Sequence, residues 1–312
     1  MINLDTAKFC IWGFKNTYHT HGHIHAGFQR ALEATGRKVI WVDAKSDLSG
    51  IDFGNTFFIT QNDVVKNEVE RMPLRKDCFY AVHNGLQGGR EKFDELDWLN
   101  FSMRLRRNPT AGSILLAPEV PLFVKDRVVE FFWGTDLLPW EIEKNKPSQV
   151  FNSSSRVVNF VVSAWQGAQQ DFNRFQTACE ENGIAVEWYG LARKGGIVSI
   201  EENARLIKES YLAPSLVSEE QNRMGYIPCR IFKHFSYGQY GLTNSEAVNT
   251  IFDGRLICNQ DAHQLFYDAR TKLPSIPLKD LHALMDYVAA NHTYLNRVDV
   301  LLKSARLILE NK

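Results

Sequence analysis

The chain has 312 residues, which is long for a single hydrophobic core, so two domains of ordinary size are expected. Hydrophobic residues make up 44% of the chain and charged residues 23%, a composition that excludes an intrinsically disordered protein. The 36 basic and 36 acidic side chains cancel, so a broad basic face for nucleic acid is not expected. The one locally basic stretch, residues 103–108, is interpreted as a surface loop.

The number and spacing of the cysteines, together with the hydropathy of the chain, indicate the cellular compartment of the protein. No cysteine forms a CxxC pair and the five are widely spaced, which argues against a disulfide framework or a zinc ribbon. The N-terminal residues lack the basic and apolar regions of a secretory signal. No uncharged apolar run reaches the length of a membrane span. We therefore expect a reduced, soluble, cytoplasmic protein without an integral membrane segment.

The first predicted elements form a strand–helix–strand unit. An apolar strand over residues 8–13 is followed by a polar loop and a helix over about 26–35. Apolar residues recur in this helix at spacings of three and four, and Gly36 stands at the usual position after its end. A second strand follows over residues 38–43. Parallel strands joined by a helical crossover are expected from this order.

The same order of elements occurs again in the second half of the chain. A strand over residues 156–163 is followed by a helix with Asp171 as its predicted N-cap. Gly183 ends this helix, and the next strand covers residues 184–189. Two such units, at the heads of two halves, predict an α/β protein with two Rossmann-like domains.

The boundary between the halves is predicted from composition. Residues 134–155 contain two prolines and a run of serines, which is typical of a linker. The predicted domains are therefore residues 1–145 and 146–312. The final stretch, residues 278–309, has the periodicity of two helices broken near Asn291, and the last helix could pack back on the first domain.

Histidine occurs at every second position in one short segment, as His19, His21, His23 and His25. A strand would place all four on one face, an arrangement typical of metal sites. Gly22 interrupts the run, however, and the segment follows a complete strand, which favours a loop at the carboxyl edge of a parallel sheet. Histidines there can act as general bases. A metal site and a surface loop without function remain the alternatives.

A further histidine ends the predicted strand that begins at Cys78. His83 would then lie at the same sheet edge as the first histidine segment. A structural role, in which His83 bonds a neighbouring carbonyl, is the alternative. On the functional interpretation, His25, His23 and His83 are the candidate catalytic bases.

Residues 225–245 contain the densest group of candidate functional residues, both polar side chains and glycines. Arg230 and Lys233 would share one face of a helix that begins after Pro228, where backbone N–H groups also point outward. Two cations at a helix start would suit a diphosphate. Gly238 allows close backbone approach further along. An amphipathic helix followed by a turn is the structural alternative.

The segment over residues 227–238 resembles the P-x-R-x-F-E-x-x-A-x-G segment of GT-B glycosyltransferases, especially the CgeB-like group. The resemblance is clear over residues 130–310 and weaker over residues 1–45. It depends on the motifs occurring in the same order along the chain. Four other segments resemble motifs of such enzymes: Ala213–Ser215, residues 249–267, residues 134–136 with Pro139, and residues 25–32.

The resemblance implies two Rossmann-like domains that face each other across a cleft, the GT-B arrangement. It implies a glycosyltransferase that moves sugar from a UDP- or GDP-type donor to a hydroxyl of a glycan or other polymer, without metal or cofactor. The second domain would bind the nucleotide sugar and the first the acceptor. The residues carried over by position to the donor site are Trp165, Gln166, Tyr189, Tyr226, Arg230, Lys233, Tyr237, Gly238, Thr243, Asn244 and Ser245.

One position departs from the family pattern. The family often has a glutamate five residues before the motif glycine, where it bonds the donor ribose, and here that position holds Lys233. The choice between inverting and retaining chemistry therefore stays open. Two other functions remain as alternatives: a metal-dependent hydrolase built on the segment from His19 to His25, and a two-domain small-molecule binder without catalysis.

Overall fold

The computed structural model describes residues 1–15, 20–84, 90–102, 113–116, 120–162, 169–190, 196 and 198–311. It confirms the α/β class. The chain divides into two compact units, Met1–Phe132 together with Tyr294–Lys312, and Trp133–Thr293. The sequence-based boundary fell between residues 145 and 146 and assigned the last helix to the second domain.

Strands and helices are numbered along the chain. The strands are β1 (Lys8–Trp12), β2 (Val39–Val42), β3 (Thr56–Gln61), β4 (Phe79–His83), β5 (Asp97–Ser102), β6 (Ile114–Leu116), β7 (Val120–Phe123), β8 (Val128–Glu130), β9 (Val157–Val161), β10 (Ala185–Tyr189), β11 (Ala213–Ser215), β12 (Gly241–Thr243) and β13 (Ile257–Cys258). The helices are α1 (Thr20–Ala34), α2 (Asn62–Glu68), α3 (Pro139–Lys144), α4 (Gln169–Glu181), α5 (Ile200–Glu209), α6 (Glu219–Arg223), α7 (Cys229–Ser236), α8 (Glu246–Ile251), α9 (Ala262–Lys272), α10 (Leu278–Asn291) and α11 (Tyr294–Glu310).

The first unit is built on one mostly parallel sheet. Its described strands have the order β2-β1-β3-β4-β5-β8-β7-β6, with parallel pairs from β2 to β8 and antiparallel pairs at β7 and β6. The first five strands have the order 2-1-3-4-5, which is that of a doubly wound fold. Such a fold binds ligands at the carboxyl ends of its strands, beside the point between β1 and β3 where the strand order reverses.

Aromatic side chains fill the layers on the two faces of this sheet. Phe9, Phe57 and Phe79 are in register on β1, β3 and β4, with ring centroids 5.5 and 5.2 Å apart. Successive strand residues face opposite sides, so Phe58 and Tyr80 stack at 4.9 Å on the other face. All five side chains are fully buried. This packing explains why the central strands form despite their distance in sequence.

Helix α11 closes the first unit, although it comes from the far end of the chain. It packs on α1 and β5. The rings of Phe28 and Tyr294 meet edge to face at 4.9 Å. Gly27 makes this contact possible, because a Cβ there would lie 2.4 Å from the Tyr294 ring.

The second unit contains two small parallel sheets in its described residues. The described strands pair as β10-β9 and as β11-β12-β13, all parallel. The Tyr211 N–H donates to the Val157 carbonyl at 2.6 Å, and the Asn159 N–H donates to Ser210 Oγ at 3.0 Å. These bonds hold the residues just before β11 beside β9, and β11 contacts β9, so the strands of the two sheets follow one another as β10-β9 and β11-β12-β13. The reversal point lies between β9 and β11.

Both strand–helix–strand predictions are confirmed, but two helix starts are not. Helix α1 begins at Thr20 rather than near residue 26, and α4 begins at Gln169, so Asp171 is in the first turn and is not the N-cap. The start of α1 contains a glycine and three histidines, which are weak helix formers. Burial of Ile24 and His25 overrides that weak propensity. The predicted final pair of helices is confirmed as α10 and α11.

The segments that enter and leave the second unit lie side by side. The Thr135 N–H donates to the His292 carbonyl at 2.8 Å, and Thr135 and Thr293 form a parallel bridge. Gly134 fits here because a Cβ would lie 2.7 Å from the His292 oxygen. The predicted linker over residues 134–155 therefore begins as packed structure and contains α3. In the described part of the chain, no helix is long and apolar enough to cross a membrane.

Candidate functional site

Three histidines meet at the carboxyl edge of the first sheet. His83 is the last residue of β4, and His21 and His25 lie on the first turns of α1. His21 Nε2 is 3.2 Å from His83 Nδ1, a hydrogen bond whose direction depends on the tautomers. His25 Nδ1 lies 2.8 Å from the Gly13 carbonyl. Because a carbonyl oxygen only accepts, His25 Nδ1 carries the proton.

The four histidines named above differ in how far their side chains are exposed to solvent. His25 and His83 are only 2% exposed, whereas His21 and His23 are partly exposed. Burial holds the pKa of His83 well below its ordinary value, and the neighbouring His21 and His25 lower it further. His83 is therefore neutral at pH 7 and can hold His21 by a hydrogen bond without adding charge. The arrangement can accept a proton from a bound hydroxyl at His21, its partly exposed member.

The helix explains which of the predicted histidines come together. Residues four apart share a helix face, so His21 and His25 lie together, whereas His23 points about 200° away from His21. The loop predicted for this segment is thus wrong over His21 to His25, and these residues do not form the alternative strand either. His21 was missed as a candidate base, although its spacing from His25 was a helical signal.

The metal alternative involves the same segment. His19 lies outside the described residues. Among the described residues, no group of three or more His, Cys, Asp or Glu side chains is arranged to hold a metal ion. His21 and His83 are hydrogen-bonded to each other, and His25 is bonded to the Gly13 carbonyl.

The second unit places a cation at the carboxyl edge of its sheet. Arg230 is in the first turn of α7 and donates from Nη2 to the Leu216 carbonyl, just after β11, at 2.6 Å. Its guanidinium lies 5.9 Å from the centroid of the Phe172 ring. Arg230 Nε is buried with no hydrogen-bond partner among the described residues. A buried donor of this kind, at a helix N-terminus, favours a bound anion.

Tyr226 lies in the same neighbourhood. Burial raises the pKa of its phenol to about 12, with a further contribution from Cys229, and Arg230 opposes the rise. The phenol therefore stays protonated and can donate a hydrogen bond.

Lys233 has a different environment from Arg230. Its Nζ lies 2.6 Å from Asp136 Oδ2, and the Tyr237 hydroxyl donates to Asp136 Oδ1 at 2.7 Å. The side chains of Lys233 and Asp136 are 13% and 2% exposed. Burial opposes charge on both groups, but their attraction outweighs it, so the pKa of Asp136 is lowered and that of Lys233 is raised. The charge of Lys233 is already compensated within the protein.

The predicted donor loop after β12 is held by its own side chains. The Asn244 amide accepts from the Val217 N–H and donates to the Val217 carbonyl, both at 2.9 Å. Thr243 Oγ1 donates to the Ser215 carbonyl at 3.2 Å. Ser245 is the N-cap of α8. These bonds fix the loops after β11 and β12 against each other.

The remaining predicted donor residues are distributed over the second unit. Tyr189 ends β10 and is partly exposed. Gly238 has a φ of +88°, and a Cβ there would lie 2.7 Å from the Asn145 carbonyl oxygen, so the protein's own backbone makes the close approach. Trp165 and Gln166 lie outside the described residues.

Comparison with known proteins adds no family to this description. No protein-family model matches the chain, and no curated protein matches its sequence. The functional assignment therefore depends on the fold and on the side chains at the carboxyl edges of the two sheets.

Proposed function

We propose that this protein is a cytoplasmic, metal-independent glycosyltransferase of the GT-B type that contributes to glycan biosynthesis. It moves a sugar from a UDP- or GDP-type donor to a hydroxyl of a glycan or other polymer. The observation that supports this most is that both units are built on parallel strands joined by helices, each with candidate site side chains at the carboxyl ends of its strands. The GT-B arrangement, with the two domains facing each other across a cleft, belongs to this proposal.

The donor site is in the second unit, at the start of α7. Arg230 binds the diphosphate, and the N-terminal N–H groups of α7 add their partial positive charge. Both stabilise the negative charge that develops on the leaving diphosphate, which removes the need for a metal. Lys233 contributes through the packing of α7, because its ammonium is paired with Asp136.

The acceptor base is in the first unit. His21 takes the proton of the acceptor hydroxyl, and its hydrogen bond to His83 orients the ring. The acceptor oxygen then forms a bond to the anomeric carbon, and the bond from that carbon to the diphosphate oxygen breaks. The electron pair leaves on the diphosphate. His25, fixed to the Gly13 carbonyl, packs behind His21 with ring centroids 6.5 Å apart.

Titration calorimetry with UDP, GDP and their sugars tests the proposal. Wild-type protein should bind one nucleotide series, and Arg230→Ala should weaken that binding by about 1.5–3 kcal/mol, the usual cost of losing a charge-assisted hydrogen bond. Arg205→Ala is the matched control, because Arg205 is exposed on α5 and pairs only with Glu202 and Glu209 in the described chain.

Each other outcome has a clear meaning. A folded wild-type protein that binds no nucleotide would sink the proposal. Equal affinities for wild type and Arg230→Ala would place the phosphate site elsewhere. Binding without sugar transfer or donor hydrolysis would indicate the small-molecule binder instead.

A further inference from the structure

Phe14 follows the carboxyl end of β1, and its ring stacks on the imidazole of His21. The two ring centroids are 5.2 Å apart and the ring planes differ by 24°. His21 is also hydrogen-bonded through Nε2 to His83 Nδ1 at 3.2 Å. The imidazole is therefore contacted on one face by Phe14 and at one edge by His83. Together, these two contacts define both the position and the tilt of the His21 ring.

The backbone of Phe14 has a conformation that is rare for its residue type. Its φ is +57°, in the left-handed region. A Cβ makes this region unfavourable, and a bulky residue found there is an outlier. Residues with such strain persist where the surrounding structure holds them, and they cluster at functional sites. Packing of an aromatic ring on a core does not by itself need this conformation.

The residue before Phe14 is held at both of its backbone polar groups. The Gly13 N–H donates to the Val42 carbonyl on β2 at 2.7 Å. The Gly13 carbonyl accepts two hydrogen bonds, from His25 Nδ1 at 2.8 Å and from Trp41 Nε1 at 2.9 Å. A carbonyl oxygen has two lone pairs, so both are used here. These three bonds fix the peptide unit that leads into Phe14 and oppose relaxation of its strained backbone.

The contacts form a chain that ends at the proposed base. Trp41 and His25 hold the Gly13 carbonyl, this carbonyl holds Phe14, and the Phe14 ring covers one face of His21. We propose that Phe14 is a positioning residue, whose ring keeps the His21 imidazole in the orientation in which it receives the proton of the acceptor hydroxyl. This role rests on the proposed function, whereas the stacking of the two rings can be tested without it.

The variants separate the stacked ring from simple packing. Phe14 also packs against the apolar core of the first unit, and Phe14→Leu keeps an apolar side chain there but removes the flat ring. Phe14→Tyr retains the ring and is the conservative variant. Leu48→Ala is the matched control, because Leu48 packs against the same core.

The first measurement is the NMR spectrum of the His21 imidazole protons, assigned by their loss in His21→Ala. The ring current of a stacked Phe14 shifts these signals to higher field. Phe14→Leu should therefore move them to lower field, whereas Phe14→Tyr and Leu48→Ala should leave them near their wild-type positions.

The second measurement compares turnover with nucleotide affinity. Turnover is followed as hydrolysis of UDP- and GDP-sugars, with water as the acceptor, and affinity is measured by calorimetry. Phe14→Leu should reduce turnover about 10- to 100-fold, the scale for a displaced catalytic group, and leave nucleotide affinity unchanged. Phe14→Tyr and Leu48→Ala should keep turnover close to that of wild type.

The outcomes distinguish this inference from the function on which it rests. His21 signals that do not move in Phe14→Leu would overturn the inference at any level of activity. Shifted signals with wild-type turnover would overturn it as well, because the stacking would then serve the fold alone. A wild type with stacked rings that hydrolyses and transfers no sugar would instead overturn the proposed function and, with it, the role of Phe14 in the reaction.

A second variant covers the case in which Phe14→Leu does not fold. Trp41→Phe keeps an aromatic ring and removes one of the two donors to the Gly13 carbonyl. It should shift the same His21 signals and lower turnover without a change in nucleotide affinity. Signals and turnover that both equal those of wild type would contradict the inference.

Discussion

Replacing Lys233 with methionine should destabilise the second unit strongly. Methionine keeps most of the apolar stem and removes the ammonium that lies 2.6 Å from Asp136 Oδ2. Asp136 is then left as a charge that is only 2% exposed, although the Tyr237 hydroxyl still donates to it. A buried charge that loses its partner is not hydrated and costs far more than an exposed one.

The magnitude follows from this burial. Removing one partner of a buried pair costs about 3–5 kcal/mol. The double variant Asp136→Asn with Lys233→Met removes both charges, and the asparagine oxygen can still accept from Tyr237. The free energy of unfolding of this double variant should lie within about 1 kcal/mol of that of wild type. A double-mutant cycle, with Lys233→Met and Asp136→Asn as its single variants, should therefore give a coupling free energy of about 2 kcal/mol or more. Lys303→Met removes an exposed pair with Asp299 and should cost at most about 0.5 kcal/mol.

Urea denaturation followed by far-UV circular dichroism and tryptophan fluorescence measures these differences, with two transitions fitted where the curves show two. Nucleotide affinity is measured on the same proteins. A Lys233→Met variant as stable as wild type but with affinity reduced at least 10-fold would refute the reasoning. Lys233 would then act on the diphosphate, as the sequence alone suggested.

Three further results are expected. His21→Ala should reduce turnover roughly 100-fold and leave nucleotide affinity unchanged, because it removes the proposed, partly exposed base of the acceptor site; full activity would move the base elsewhere. The Asp136–Lys233 pair stabilises the folded protein at pH values between the pKa of Asp and the pKa of Lys in the unfolded chain. In urea titrations, the stability of wild type relative to the uncharged double variant should thus be constant near neutral pH. It should decrease as the pH falls below about 4 through the lowered pKa of Asp136, and as the pH rises above about 10.5 through the raised pKa of Lys233. Gly27→Ala should lower the stability of the first unit by ~1–3 kcal/mol in thermal melts, because the new Cβ meets the Tyr294 ring, whereas Gly54→Ala, whose nearest neighbour is a side chain of Asp52, should cost less.

The wound sheets could be predicted because each strand–helix–strand unit is a local pattern. Residues 8–43 contain the apolar runs, the helical periodicity and the glycine that define one unit. The start of α1 could not be predicted in the same way. Local propensity disfavours a helix there, and it is outweighed by the burial of Ile24 and His25 and by the bond from His25 to the Gly13 carbonyl.

The candidate donor site shows a second limit of local reasoning. Arg230 and Lys233 are three residues apart, and this spacing predicted that both would reach one ligand. In the structure Arg230 bonds the Leu216 carbonyl, and Lys233 turns to Asp136, which is 97 residues away in sequence. A charge partner so far along the chain leaves no signal in helical spacing.

The two-part composition of the first unit has a consequence for synthesis. Helix α11 packs on α1, yet it leaves the ribosome only after all of Trp133–Thr293 has been made. The nascent chain therefore carries the face of α1 around Phe28 uncovered while the whole second unit emerges and folds. A chain that stops before Tyr294 would contain the complete second unit and a first unit that lacks its last helix. Quality control by chaperones and proteases would then act on that uncovered face.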